Sequence, residues 1–83
     1  STSAEETTVT VKNSYNVNIY DKHGNVVKRN IPKGTKFTVD RLGKTSFSDQ
    51  FPPVWGTLYR IKGTDTWIVA ALVKADKQLP LHE

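Results

Sequence analysis

The 83 residues predict an all-β domain, a small closed barrel of five or six short antiparallel strands with one short helical turn. Three observations point there. Apolar residues alternate with polar ones at period two in stretch after stretch, the pattern of half-buried strands. Glycine or proline turn signals separate those stretches at close spacing. No segment has the 3.6-residue apolar periodicity of an amphipathic helix.

The elements follow in order. "TTVTVKN" (7–13) alternates Val9 and Val11 with polar residues. "YNVNIY" (15–20) repeats the pattern, with Val17 and Ile19 facing inward and Asn16, Asn18 and Tyr20 facing the other way. "DKHGN" (21–25) is a turn in which Gly24 supplies a positive φ and Asp21 caps its own backbone through an Asx interaction. "VVKRNI" (26–31) starts the return strand, and "IPKG" (31–34) has proline second and glycine fourth, as type I turns prefer. "TKFTVDRL" (35–42) is the clearest strand, with Phe37 and Val39 opposed to Lys36, Thr38 and Asp40. "TLYRIK" (57–62), the tight turn "GTD" (63–65) and "TWIV" (66–69) form a hairpin, and "AALV" (70–73) is a single helical turn before a short last strand.

One connection is unusual. "GKTSFSDQFPPVWG" (43–56) is long for a hairpin loop, yet it carries Phe47, Phe51, Val54 and Trp55 around two prolines. So much apolar area must pack or meet a ligand, and packing as a plug at the open end of the barrel is the expectation.

Length and composition exclude several classes. The chain holds one small domain, with residues 9–75 as its body, a polar and acidic linker over 1–8 and a tail over 76–83. Without cysteine there is no disulfide framework and no thiolate zinc site, and His23 and His82 are too far apart in sequence to make a metal centre. No apolar run approaches the roughly 20 residues that span a bilayer, so no membrane insertion is expected. No secretory signal is present, so if the protein is secreted this chain is expected to be a piece of a longer precursor. No cofactor is expected. No Ser/His/Asp or Cys/His set, acid pair or glycine-rich phosphate loop marks an enzyme.

The charge is unevenly placed. The net +4 conceals a basic middle, where ten Lys and Arg between Lys12 and Lys62 face only Asp21, Asp40 and Asp49. Such a surplus bears on partners rather than on fold. Lys22, Lys28, Arg29, Lys33, Lys36, Arg41, Lys44, Arg60 and Lys62 are the candidate polyanion-binding set. Ammonium and guanidinium groups on exposed strands and turns suit repeated phosphates, and arginine adds forked contacts. Single exposed contacts are weak, so affinity must come from many at once.

The order of "VNIYDKHGN", "IPKGTKFTV" and "LYRIKGTDTWIVAALV" resembles the surface-layer-protein (SLAP) domain of lactobacilli. The matching positions are Tyr20, Asp21, Gly24, Lys33, Gly34, Tyr59, Arg60, Ile61, Trp67, Ile68 and Ala70, and the likeness covers residues 9 to 75. Val69 departs from it, standing where the family commonly has lysine, and the 43–56 loop is longer and more aromatic than the family's hairpin. The resemblance implies an SH3-like barrel that serves as a non-enzymatic wall-attachment module of an S-layer or S-layer-associated protein. It also implies secretion to the wall or S-layer of a Gram-positive bacterium. The implied partner is lipoteichoic acid, wall teichoic acid or another anionic wall polymer, with other S-layer subunits or a second SLAP repeat as further partners.

Blander readings stand beside these. Lys28, Arg29, Lys33 and Lys36 also fit a solvated face that protects a sheet edge from aggregation. Tyr20, Trp55, Tyr59 and Trp67 are candidate stacking residues, but Tyr20, Tyr59 and Trp67 fit core or half-core residues better than sugar platforms, and Trp55 alone lies in a loop. A nucleic-acid-binding barrel is the first rival, although no stacking motif appears and no nucleic acid is expected. A proline-rich-peptide reader is the second, although the chain is basic where such a reader needs an acidic loop.

Overall fold

The structure, a computed structural model, describes residues 5–15 and 17–82. Asn16, Glu83 and the first four residues of the expected linker lie outside that range. The chain is all-β. Eight short strands, rather than five or six, form one sheet: β1 (Thr7–Val11), β2 (Ile19–Tyr20), β3 (Val26–Lys28), β4 (Lys36–Gly43), β5 (Leu58–Ile61), β6 (Trp67–Val69), β7 (Val73–Ala75) and β8 (Leu81–His82). Among the described residues only 3-10 turns accompany them, at Ser48–Gln50, Pro53–Trp55 and Ala70–Leu72, the last being the expected helical turn. The sheet order is β3-β2-β6-β5-β4-β1-β7, antiparallel along that path, and no ladder joins β3 to β7 among the described residues.

The sheet curls around one cluster of buried side chains drawn from nearly every strand, including Val9 and Val11, Ile19, Val39 and Leu42, Tyr59, Ile68 and Val73. β1 shows why. Its β-branched run TTVTV suits a pleated ribbon, and it buries Thr7, Val9 and Val11 while Thr8 and Thr10 stay half-buried on the outside. Thr7 is tolerated inside because its hydroxyl accepts the Lys77 N–H at 3.1 Å. No buried side-chain polar atom among the described residues lacks a partner.

β4 is long enough to serve three neighbours. Its first half pairs with β1 (Val9 opposite Phe37), its second half with β5 (Leu42 opposite Tyr59), and Leu42 and Gly43 also pair in parallel with β8. The register shifts between Val39 and Arg41. One extra residue there, Asp40, lets Val39 and Leu42 both face the core although they are three apart. The residues expected as a tail are therefore docked: Leu79 is buried and Leu81–His82 extends the sheet. Likewise Thr7 and Thr8, expected in a linker, already belong to β1.

Turn chemistry follows local sequence, with one shift. At 31–34 the hydrogen bond closes from Thr35 N–H to the Pro32 carbonyl at 3.2 Å, one residue later than expected. Gly34 is thus third in the turn with φ +92°, as type II rather than type I demands. A residue without Cβ takes that position freely, which decides the register.

The 43–56 connection does pack: Phe47 belongs to the buried cluster, and Phe51 and Trp55 lie against it. Alternation places Tyr20 opposite Ile19, and there its ring centroid lies 6.2 Å from Phe47 and 5.1 Å from Phe51. Phe47 is the anchor, only 8% exposed. Gln50 Nε2 donates to the Gly24 carbonyl at 3.2 Å, tying the connection to the β2–β3 turn. Trp55 is half-buried against Phe51, and Val54 is 73% exposed.

Candidate polyanion-binding surface

The nine basic residues singled out in the sequence do not form one patch. Lys22 is exposed in the β2–β3 turn, whereas Lys28 and Arg29 are exposed along the outer edge of β3. Lys33 sits in the Pro32–Thr35 turn and Lys36 opens β4, both exposed. Arg41 lies directly across from Arg60, and Lys44 borders a groove of about 500 Å³ with Ser48, Asp49, Phe51, Pro53 and Gly56.

Two of the nine are engaged by acids. Arg60 Nε donates to Asp40 Oδ1 at 2.9 Å, a bond made available by the β4 bulge. Lys62 Nζ meets Glu6 Oε2 at 2.8 Å, and that hydrogen bond and charge raise the lysine pKa above its ordinary value. The Lys62–Glu6 pair is largely solvated and contributes little stability, but it offsets charge that a polyanion would otherwise meet. These are the only ion pairs among the described residues.

A tighter basic group gathers where β1 ends. Thr10 is opposite Lys36 of β4 on one side and opposite Lys74 of β7 on the other. Directly opposed residues share a face, so both ammonium groups project beside Thr10, from backbones about 10 Å apart across two strand spacings. Lys36 Nζ donates to Thr10 Oγ1 at 3.3 Å. Lys12 follows two residues on and is exposed, its N–H bonded to the Leu72 carbonyl at 3.1 Å. The Lys33 turn is fastened to the same place, since Gly34 N–H donates to the Val11 carbonyl at 2.8 Å.

Lys12 and Lys74 lie outside the set singled out from sequence. The outward parity of Thr8, Thr10 and Lys12 is readable along β1, but nothing near Lys74 announces that β7 will pair with β1.

Acids stand among bases at the other end of the same strand, where Arg60 and Lys62 are paired and Lys77 N–H reaches Thr7. Glu6 precedes β1, Asp76 N–H donates to the Thr8 carbonyl at 3.0 Å, and Lys62 N–H donates to the Thr38 carbonyl opposite Thr8. Asp40 and Asp65 border a second groove there, of about 310 Å³, with Arg60, Gly63 and Thr64. From Glu6 to Lys12 is about 20 Å of extended chain. The two ends of β1 thus differ: acids and bases are mixed and partly paired where the strand begins, whereas lysines without ion pairs among the described residues stand where it ends.

The aromatic candidates divide. Tyr20 and Tyr59 are each 7% exposed, which leaves no ring face for a polymer, so neither is the stacking residue expected from sequence. Burial also pushes the Tyr59 hydroxyl pKa above its ordinary value. Trp55 and Trp67 are half-buried and packed against the core. The most exposed aromatic is Tyr15, at 71%, a residue that alternation alone does not mark as a site.

Asp21 is accounted for by structure. Its Oδ1 accepts the N–H groups of His23 at 2.8 Å and Asn25 at 3.0 Å, as the Asx reading expects. These bonds, Asn25 first, lower its pKa. Among the described residues no group of three or more His, Asp or Glu is placed to hold a metal ion. No helix among the described residues is long and apolar enough to cross a membrane.

Comparison of the chain with protein-family models, with curated proteins and with solved structures found no match.

Proposed function

We propose that this chain is a non-enzymatic attachment domain that binds an anionic bacterial wall polymer of the teichoic type, as in a secreted S-layer or S-layer-associated protein. The observation that carries the reading is the cluster of Lys12, Lys33, Lys36 and Lys74 at one end of β1, exposed and free of ion pairs among the described residues. The resemblance of the turn and strand order to SLAP domains supports it independently.

A teichoic acid is a flexible chain of phosphodiesters joined by uncharged polyols. It presents evenly spaced charge and little apolar surface, so its recognition needs several cations on one face rather than a deep pocket. Lysines spaced by strand pairing supply that, each as a hydrated point charge that tolerates many phosphate geometries. The term is electrostatic and entropic, since bound phosphates shed their counterions. Four such contacts to a flexible polyanion predict a log K against log salt slope of about −3.

The test is retention on isolated walls that contain teichoic acid against walls stripped of it. Changing Lys12, Lys33, Lys36 and Lys74 together to glutamine is expected to abolish retention on the intact walls. Changing Lys22 and Lys44, which lie elsewhere, is expected to leave most of it. If the first variant is retained as well as the parent but aggregates, these lysines only keep the surface soluble. Equal binding to stripped walls would sink the proposal.

A further inference from the structure

The loop that carries Tyr15 leaves and returns at this basic end, where hydrogen bonds hold Val11 and Val17. The 12–16 connection leaves β1 at Val11, which bonds to Thr35 and Gly34, and returns at Val17, whose carbonyl accepts the Ile31 N–H at 2.8 Å. Both feet of the loop therefore rest on the short stretch 31–35. Between Ile31 and Gly34 the chain can span at most about 10 Å, and that span contains Lys33. Lys12, at the first foot, is held beside β7 through the Leu72 carbonyl. The result is a tyrosine, 71% exposed, on a loop bracketed by Lys12 on one side and the Lys33 turn on the other.

We infer that Tyr15 is a ring-stacking subsite of this surface, and that the repeat recognised is a phosphate carrying a sugar ring rather than a bare polyol phosphate. This rests on the polyanion reading above. Lysine alone cannot tell one polyol phosphate from another, because a point charge reads only the phosphate. A solvated phenol ring on a loop whose feet adjoin Lys12 and the Lys33 turn adds a second kind of contact. Its electron-rich face attracts the polarised C–H bonds that one side of a pyranose presents, while the phosphates on either side of the sugar engage Lys12 and Lys33. Tyr20 and Tyr59 cannot do this because they are buried, and Trp55 and Trp67 pack on the core. Exposure also makes Tyr15 replaceable without loss of fold.

The experiment compares two purified polyol-phosphate polymers of matched length and charge, one glycosylated and one not, with single-stranded DNA as a third probe. The parent chain and the Tyr15→Ala and Tyr15→Phe variants are each titrated at low salt, after circular dichroism and thermal melts have shown all three equally folded. The expected result is a loss of roughly fivefold or more for Tyr15→Ala on the glycosylated polymer, the low end of what one aromatic platform contributes per ring. Tyr15→Ala should leave affinity for the unglycosylated polymer unchanged, and Tyr15→Phe should keep both. An equal effect of Tyr15→Ala on both polymers, or no effect on either, overturns the subsite while leaving wall binding through lysine in place. A larger loss on DNA than on the glycosylated polymer overturns the sugar assignment in favour of base stacking. If the parent binds neither polymer, the proposed function fails and the subsite with it.

Discussion

Replacing Gly24 with alanine is expected to destabilise the domain more than the same change at Gly34 or Gly63, and the excess measures how firmly the 43–56 connection sits on the β2–β3 turn. All three glycines have similar positive φ, 87° at Gly24, 92° at Gly34 and 84° at Gly63. An L-residue in that region costs about 1–2 kcal/mol wherever it occurs. At Gly34 and Gly63 an added Cβ meets nothing within 4 Å, so that backbone term is the whole expected cost. At Gly24 the added carbon would lie 2.7 Å from Phe47 Cβ, 2.9 Å from Phe47 Cγ and 3.1 Å from Gln50 Oε1. A Cβ is fixed by its own backbone and cannot rotate out of the way. Relief requires the connection to retreat, drawing Phe47 off Tyr20 and straining the Gln50 bond to the Gly24 carbonyl. Overpacking of this kind costs about 1–3 kcal/mol, giving roughly 2–5 kcal/mol at Gly24 against 1–2 at the others. A domain of this length has only about 4–12 kcal/mol in total. Urea unfolding of the three single variants reads the difference directly as a shift in midpoint at constant slope. Equal midpoint shifts for all three would refute the packing of Phe47 against this turn.

Three further outcomes are expected. Phe47→Ala should cost about 3–4 kcal/mol, as a buried aromatic does, whereas the half-buried Trp55 should lose less on truncation; thermal melts that rank them the other way would make Trp55 the anchor. Asp21 has its pKa lowered in the folded chain, so its contribution is present above about pH 4 and is lost as pH falls through the folded value. Asp21→Asn keeps the acceptor oxygen but removes the charge, and its stability curve should approach that of the parent as pH falls through the folded value and lie below it at pH 6. Tyr59 has a raised pKa, so the neutral hydroxyl stabilises the fold below about pH 10, and stability should fall as pH rises through the folded value; Tyr59→Phe should remove that alkaline loss in pH-dependent unfolding.

Much of the fold is legible in short stretches of chain. Asp21 and Gly24 together specify their turn, because a carboxylate can reach N–H groups two and four residues on and glycine adopts positive φ without steric cost. The strand at 36–43 is visible from its alternation, but its bulge is not read from period two alone. The clue is the spacing of Val39 and Leu42, three apart and both buried, which an unbroken strand cannot place on one face. The Pro32–Thr35 turn was displaced by one residue for a comparable reason: proline and glycine each favour a turn position, and the glycine requirement prevailed.

For the candidate surface, the sequence by itself determined the supply of charge and the alternation of the main strands at 7–11, 36–43 and 58–61, since composition and alternation belong to neighbouring residues. It also determined that Lys33 would lie in a turn and Lys36 at a strand's start. Only the tertiary structure decided which cations stand together. Lys36 and Lys74 are 38 residues apart in the chain and meet on either side of Thr10 because β4 and β7 both chose β1 as neighbour. The same long-range pairing engaged Lys62 with Glu6 and Arg60 with Asp40, and it sank Tyr20 and Tyr59 while leaving Tyr15 in water. Pairing of this sort is selected by the burial of the whole apolar set at once, so no local pattern around any one of these residues encodes its partner.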